Sequence, residues 1–120
     1  MIRSIPLITL LGVIFYLSHQ PGNSLQLPDI VGLDKLLHAL VYGLLAITVF
    51  LAVHPWKLRV SKLWLALTVV LFCLAYGVSD EFHQSFIPNR DVSGWDVVAD
   101  TLGATAVALI WGWKFKREEQ

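Results

Sequence analysis

Four long apolar runs, separated by polar links, divide the chain. The first, residues 5–18, reads IPLITLLGVIFYLS, with Arg3 ahead of it and Pro6 in a first turn, where proline is tolerated. No small-x-small cleavage pattern follows in Ser18-His19-Gln20-Pro21, so the run reads as an uncleaved span. Residues 19–32 hold two prolines, two glycines and an asparagine, which predicts a loop. The second run covers 36–53. Asp34 and Lys35 head it, His38 is its one residue that takes a charge near neutral pH, and His54-Pro55 closes it. A basic link with Lys57, Arg59 and Lys62 leads to the third run, 63–80, which has no formal charge before Asp80. Its polar end continues through Glu81, His83 and Gln84 to a turn at Pro88-Asn89-Arg90. Ser93 with Asp96 three residues on reads as a helix start. The fourth run, 96–113, is interrupted by Asp100. Lys114, Lys116 and Arg117 end it, with Trp111, Trp113 and Phe115 suited to a membrane interface. A helix needs about 20 residues to cross a ~30 Å hydrocarbon layer. The expected fold is therefore a single all-α membrane domain over residues 1–120, a bundle of four transmembrane helices.

Composition strengthens this expectation. The 120 residues are 56% hydrophobic and 15% charged, against about 25% charged in soluble domains. The net charge of zero hides an asymmetry. The positive-inside rule assigns Arg3, Lys57, Arg59, Lys62, Lys114, Lys116 and Arg117 to the cytoplasm, together with both termini. The other face then receives Asp29, Asp34, Asp80, Glu81, Asp91, Asp96 and Asp100, against Lys35 and Arg90 alone. The expected location is the cell (cytoplasmic) membrane, with several passes. Cys73 sits alone in an apolar run, where a thiol packs as a small hydrophobe. No CxxC pair, glycine-rich phosphate loop or internal repeat is present, so no nucleotide or nucleic acid is expected as a partner.

That topology gathers three polar segments at the outer face: the start of the second helix, the end of the third and the start of the fourth. Asp34, His38 and Tyr42 share one helical face, Tyr76, Asp80 and Gln84 another, and Asp96, Asp100 and Gly103 a third. Ionisable groups within a span normally face the bundle or a wet cavity, so these faces are expected to converge, with Gly103 permitting close helix approach. The helix dipole sorts the acids. Asp34 and Asp96 sit at positive helix ends, where capping alone, at roughly 0.3–1 kcal/mol each, explains them. Asp100 lies about 6 Å deeper than Asp96, where capping explains less. Asp80 and Glu81 sit at a negative end and require a cation: Arg90, Lys35, a protonated His83 or His38, or a metal ion. A structural ion-pair network is the alternative. The candidate ligand-binding residues are Asp34, Lys35, His38, Tyr42, Gln84, Arg90, Asp96 and Asp100. The candidate catalytic residues are Asp80, Glu81 and His38. His19 and His54 stand apart. No zinc-type ligand spacing is present, so no metal site and no cofactor are expected, although the carboxylates leave room for a bridging divalent cation.

Two blocks, DKLLHALVYGLLA (residues 34–46) and SDEFHQSFIPNRDVSGWDVVADTLGA (residues 79–104), resemble the VanZ-like family of small membrane proteins. The first is similar to the family's Asp-Lys, His, Tyr pattern. The second is similar to its Glu-x-x-Gln, Pro-x-Arg, Ser, Asp and Asp/Asn-x-x-Gly series. Asn89 stands where glycine is common, and Asp100 where asparagine is common. The founding member is associated with resistance to teicoplanin-type glycopeptides. The resemblance therefore implies a link to the cell envelope and to glycopeptide tolerance. The expected function is binding of an envelope lipid or lipid-linked precursor by its head group. Arg90, Lys35 and Gln84 would hold the anionic part, and the carboxylates amines or a bridging cation. The alternative is a membrane-embedded enzyme on a lipid-linked substrate, with Asp80 and Glu81 dividing acid and base roles. A proton-coupled carrier is disfavoured, since residues 43–53 and 63–79 offer no ionisable path, and four short helices would have to oligomerise to serve as one.

Overall fold

The computed structural model describes residues 1–24, 26–53 and 60–118. It is all-helical: a 3₁₀ turn at Ile2–Ser4, then α1 (Ile5–Ser18), α2 (Leu33–Val53), α3 (Lys62–Gln84) and α4 (Gly94–Glu118). Among the described residues there is no strand. Two helices, α2 with 21 residues and α3 with 23, are long and apolar enough to cross a membrane. His54, Pro55, Lys57 and Arg59, expected to close the second run and to form the basic link, lie outside the described residues.

Local chemistry accounts for the helix boundaries. Pro6 falls in the first turn of α1, where its missing N–H costs nothing. The Ser61 hydroxyl caps α3 by accepting the Trp64 N–H at 3.3 Å. The Ser93 hydroxyl accepts the Trp95 N–H at 3.2 Å and opens α4. Asp96, expected to complete that cap, bonds to Lys35 instead. The third helix runs past Asp80 to Gln84, so Asp80, Glu81 and His83 are all helical. Asn89 has a φ of 59°. This left-handed conformation favours glycine and tolerates asparagine, which explains both residues at this turn.

Helices α2 and α4 form the tightest pair. A Cβ built on Gly103 would overlap the backbone of Ala39, and one on Gly43 would meet the Gly103 carbonyl at 3.4 Å. Small residues at such a crossing let the backbones touch. Behind it lies an apolar core of Tyr42, Leu45, Ala46, Val49, Phe50, Val69, Cys73, Ala104 and Ala108. Stacked Phe50 and Trp111, 4.4 Å between ring centroids, close one end of this core. The outward faces are apolar too: Leu36, Leu40, Leu44, Ile47 and Leu51 form an exposed stripe along α2, and Leu102, Leu109 and Ile110 are exposed on α4. Acidic residues are concentrated at the end where α2 and α4 begin and α1 and α3 finish.

Candidate functional site: a cleft with an acidic floor

That end opens into a cleft of about 480 Å³. Ile14 and Leu17 of α1, Leu37 and Val41 of α2, and Leu27 of the first loop give it an apolar wall. Ser18, Asp34, His38, Tyr42, Asp80, Gln84, Arg90, Asp91 and Asp96 give it a polar one. Both sides come from the ends of the helices and the loops that join them.

The polar residues divide into two groups. The first joins α2, α4 and the end of α3. Lys35 Nζ donates to Asp34 Oδ2 at 2.7 Å and to Asp96 Oδ1. His38 Nδ1 lies 2.8 Å from Asp100 Oδ1, and His38 Nε2 lies 3.9 Å from Asp96 Oδ2. Asp100 is fully buried, and its Oδ2 has no hydrogen-bond partner among the described residues. Glu81 Oε2 accepts the Ser93 N–H at 3.2 Å, which ties the end of α3 to the start of α4. Glu81 Oε1 is buried without a hydrogen-bond partner among the described residues. One ligand atom each from His38, Glu81 and Asp96 lie within 4.8 Å of one another. The sequence showed no metal-ligand spacing because these three residues come from three helices.

The second group faces α1. Gln84 Nε2 donates to Ser18 Oγ at 3.2 Å and to Asp80 Oδ2 at 3.3 Å. Arg90 Nε donates to the Gln20 carbonyl at 3.0 Å, and its Nη2 donates to the Leu17 carbonyl. A guanidinium fork suits two adjacent carbonyls, and a cation at a helix C-terminus is favoured by the dipole. Arg90 therefore secures the end of α1, and among the described residues it makes no salt bridge to Asp80 or Glu81.

No salt bridge to Asp80 or Glu81 forms among the described residues. The cation expected beside them is supplied neither by Arg90 nor by Lys35, which bond elsewhere. Asp80 accepts from Gln84, and Glu81 accepts from Ser93. Tyr42 is 1% exposed, with its hydroxyl unpartnered among the described residues. Tyr76 shares the face of Asp80 and Gln84 but donates to the Leu11 carbonyl at 2.8 Å. His83 also leaves the acids. It stacks on Phe15 at 4.8 Å and lies 3.1 Å from His19 Nδ1 through its Nε2. His19 therefore remains outside the acidic group, as expected, and takes His83 with it.

Sequence reasoning missed Ser18, which is 3% exposed and accepts from Gln84. It also missed Gly77, where an added Cβ would stand 2.9 Å from Asp100 Oδ2 and 3.5 Å from the Tyr42 ring. A glycine one turn before Asp80, on the helix face turned to α4, was the available signal.

The fold and cleft define a small helical protein with an acidic, half-buried chamber at one end of an apolar bundle. The chain belongs to the VanZ/LLP1 family, whose model matches residues 4–115. No curated protein and no solved structure matches it.

Proposed function

We propose that the chain is a four-span protein of the cytoplasmic membrane, with both termini in the cytoplasm, whose outward-facing cleft binds an envelope lipid or lipid-linked precursor. The observation that carries this reading is the two-sided cleft, with an apolar wall from Ile14, Leu17, Leu37 and Val41 beside a polar one. An acyl or prenyl chain fits the first and a head group the second. The exposed stripe along α2 suits lipid, because the backbone of a helix is satisfied internally and needs no water. At 1.5 Å per residue the 14 residues of α1 reach about 21 Å. The 3₁₀ turn ahead of them adds about 6 Å, and local thinning of the bilayer absorbs the rest.

The acidic majority on the polar wall favours amines, hydroxyls or a cation in the head group. Both Gln84 amide hydrogens already have protein acceptors, whereas Lys35 and Arg90 each use two of their N–H donors on protein acceptors and keep others for an anion. Glycopeptide tolerance would follow if the bound precursor were masked or altered. A photo-activatable lipid analogue tests the proposal in membranes. Val41→Trp fills the apolar wall and is expected to lower labelling severalfold, whereas the exposed Leu44→Trp leaves it unchanged. Equal labelling of both variants and wild type contradicts the proposal. The enzyme alternative would draw on Asp80, Glu81 and His38, with Asp100 orienting the imidazole. Turnover of a lipid-linked substrate that disappears in His38→Ala would favour it.

A further inference from the structure

Three potential ligands from three helices meet where the cleft reaches the α2–α4 contact. His38 of α2, Glu81 of α3 and Asp96 of α4 each bring one ligand atom within 4.8 Å of the others. Ligands on an ion at about 2.1–2.4 Å stand at most about 4.2–4.8 Å apart, so the three groups meet the distance condition for sharing one cation, and small side-chain adjustments would close the shell.

The imidazole is oriented for this task. Its Nδ1 lies 2.8 Å from Asp100 Oδ1. A carboxylate only accepts, so Nδ1 carries the proton, and in the neutral imidazole, the form that binds a metal, Nε2 presents a lone pair. That lone pair faces Asp96 Oδ2, another acceptor, at 3.9 Å. The separation is too long for a hydrogen bond and leaves room for an ion. Histidines that ligate metals usually donate their other N–H to a carboxylate or carbonyl, and fully buried Asp100 holds that position.

Glu81 is an independent pointer. It is 6% exposed, and its Oε1 has no partner among the described residues. Buried acceptors normally find a donor or a cation. Charge adds to the case: Asp34, Glu81, Asp96 and Asp100 gather at this end, and Lys35 bonds only Asp34 and Asp96 of them. Lys35 bonds Asp96 through Oδ1 and leaves Oδ2 to the other side.

We infer that His38, Glu81 and Asp96 form a site for a divalent first-row cation of the zinc or manganese type, with Asp100 as the residue that positions His38. An imidazole among carboxylates suits these ions better than magnesium or calcium, which take all-oxygen shells. Three protein ligands leave at least one coordination position open. Since His38 and Asp96 line the cleft, that position faces it. There the ion meets a phosphate or carboxylate of a head group. This last step rests on the lipid reading; the ion site does not.

The test uses the full chain in lipid nanodiscs, stripped with chelator and titrated with Zn²⁺, Mn²⁺ or Co²⁺. The expected result is one ion per chain and a melting temperature that rises with ion concentration. Asp100→Asn, which keeps an acceptor for His38, is expected to fold and to weaken binding about 10–100-fold. Glu81→Gln weakens it further, and Asp29→Asn, in the exposed first loop, changes it less than about threefold. Should Glu81→Gln fail to fold, pulsed electron paramagnetic resonance of Mn²⁺-loaded wild type reads the site directly, through the nitrogen of one bound imidazole. Folded wild type that takes up no ion, or an ion with no imidazole nitrogen, overturns the inference. Lipid photolabelling of the same samples separates the two readings. Labelling without ion uptake removes the ion site alone, and ion uptake without labelling removes the lipid reading alone.

Discussion

Replacing Gly103 by alanine tests the contact that builds the site. A methyl group there runs into the carbonyl and Cα of Ala39, which are backbone atoms that no rotamer change can move aside. Helix α4 must therefore shift away from α2. Overpacking of this kind costs about 1–3 kcal/mol. The better helix propensity of alanine returns up to about 1 kcal/mol. Because the overlap is with backbone, the upper part of the range applies, and the net loss is about 1–2 kcal/mol. The shift also propagates to the cleft. Asp100 lies one turn before Gly103 and Asp96 one turn further, and they reach His38 and Lys35 across the same seam. Displacement of α4 lengthens the 2.8 Å His38–Asp100 contact and spreads the three ligand groups. Denaturant unfolding in mixed micelles, followed by circular dichroism, measures the first effect. The control is Gly12→Ala on α1, where an added Cβ meets nothing within 4 Å. It should be neutral or slightly stabilising. Gly103→Ala as stable as wild type would refute the reasoning about the α2–α4 crossing.

Asp100→Ala removes the acceptor of a half-buried histidine and is expected to cost about 1–3 kcal/mol, while Asp100→Asn costs less; micelle unfolding compares them. Arg90→Ala frees the Leu17 and Gln20 carbonyls and should speed amide exchange in the last turn of α1 and the loop after it. Arg90→Lys should recover only part of the protection, because an ammonium lacks the fork. Unchanged exchange would remove Arg90's role in holding α1. For topology, Ser24→Cys and Ser61→Cys in a Cys73→Ser background are labelled with an impermeant maleimide. Ser24→Cys should react in intact cells and Ser61→Cys only after permeabilisation, and the reverse pattern contradicts the orientation.

The helices were legible because each coincides with an apolar run bounded by proline, glycine or a capping serine. The extension of α3 to Gln84 was less so. Acids at a negative helix end look like a terminus, and only the tertiary partners Ser93, Ser18 and His38 explain why the helix continues. Spacing identified which residues share a face: Asp34 with His38, Asp80 with Gln84, Asp96 with Asp100. It could not show how far each helix is rotated about its axis against its neighbours. That rotation points Asp80 to Ser18, Glu81 to Ser93, and His83 to Phe15 and His19. It also brings Glu81 beside His38 and Asp96. Arg90 was hidden for another reason. Its direction depends on the left-handed turn at Asn89 and on the packing of Gly22 against that turn, which no local pattern encodes.

The most direct test of the lipid-binding cleft is native mass spectrometry of the wild-type chain ejected from envelope membranes, compared with Val41→Trp. A specific envelope lipid or lipid-linked precursor should remain bound to wild type and be lost from the variant, with bulk phospholipid adducts equal in both. Equal retention in both, or only bulk phospholipid on wild type, would contradict the proposed role of the cleft.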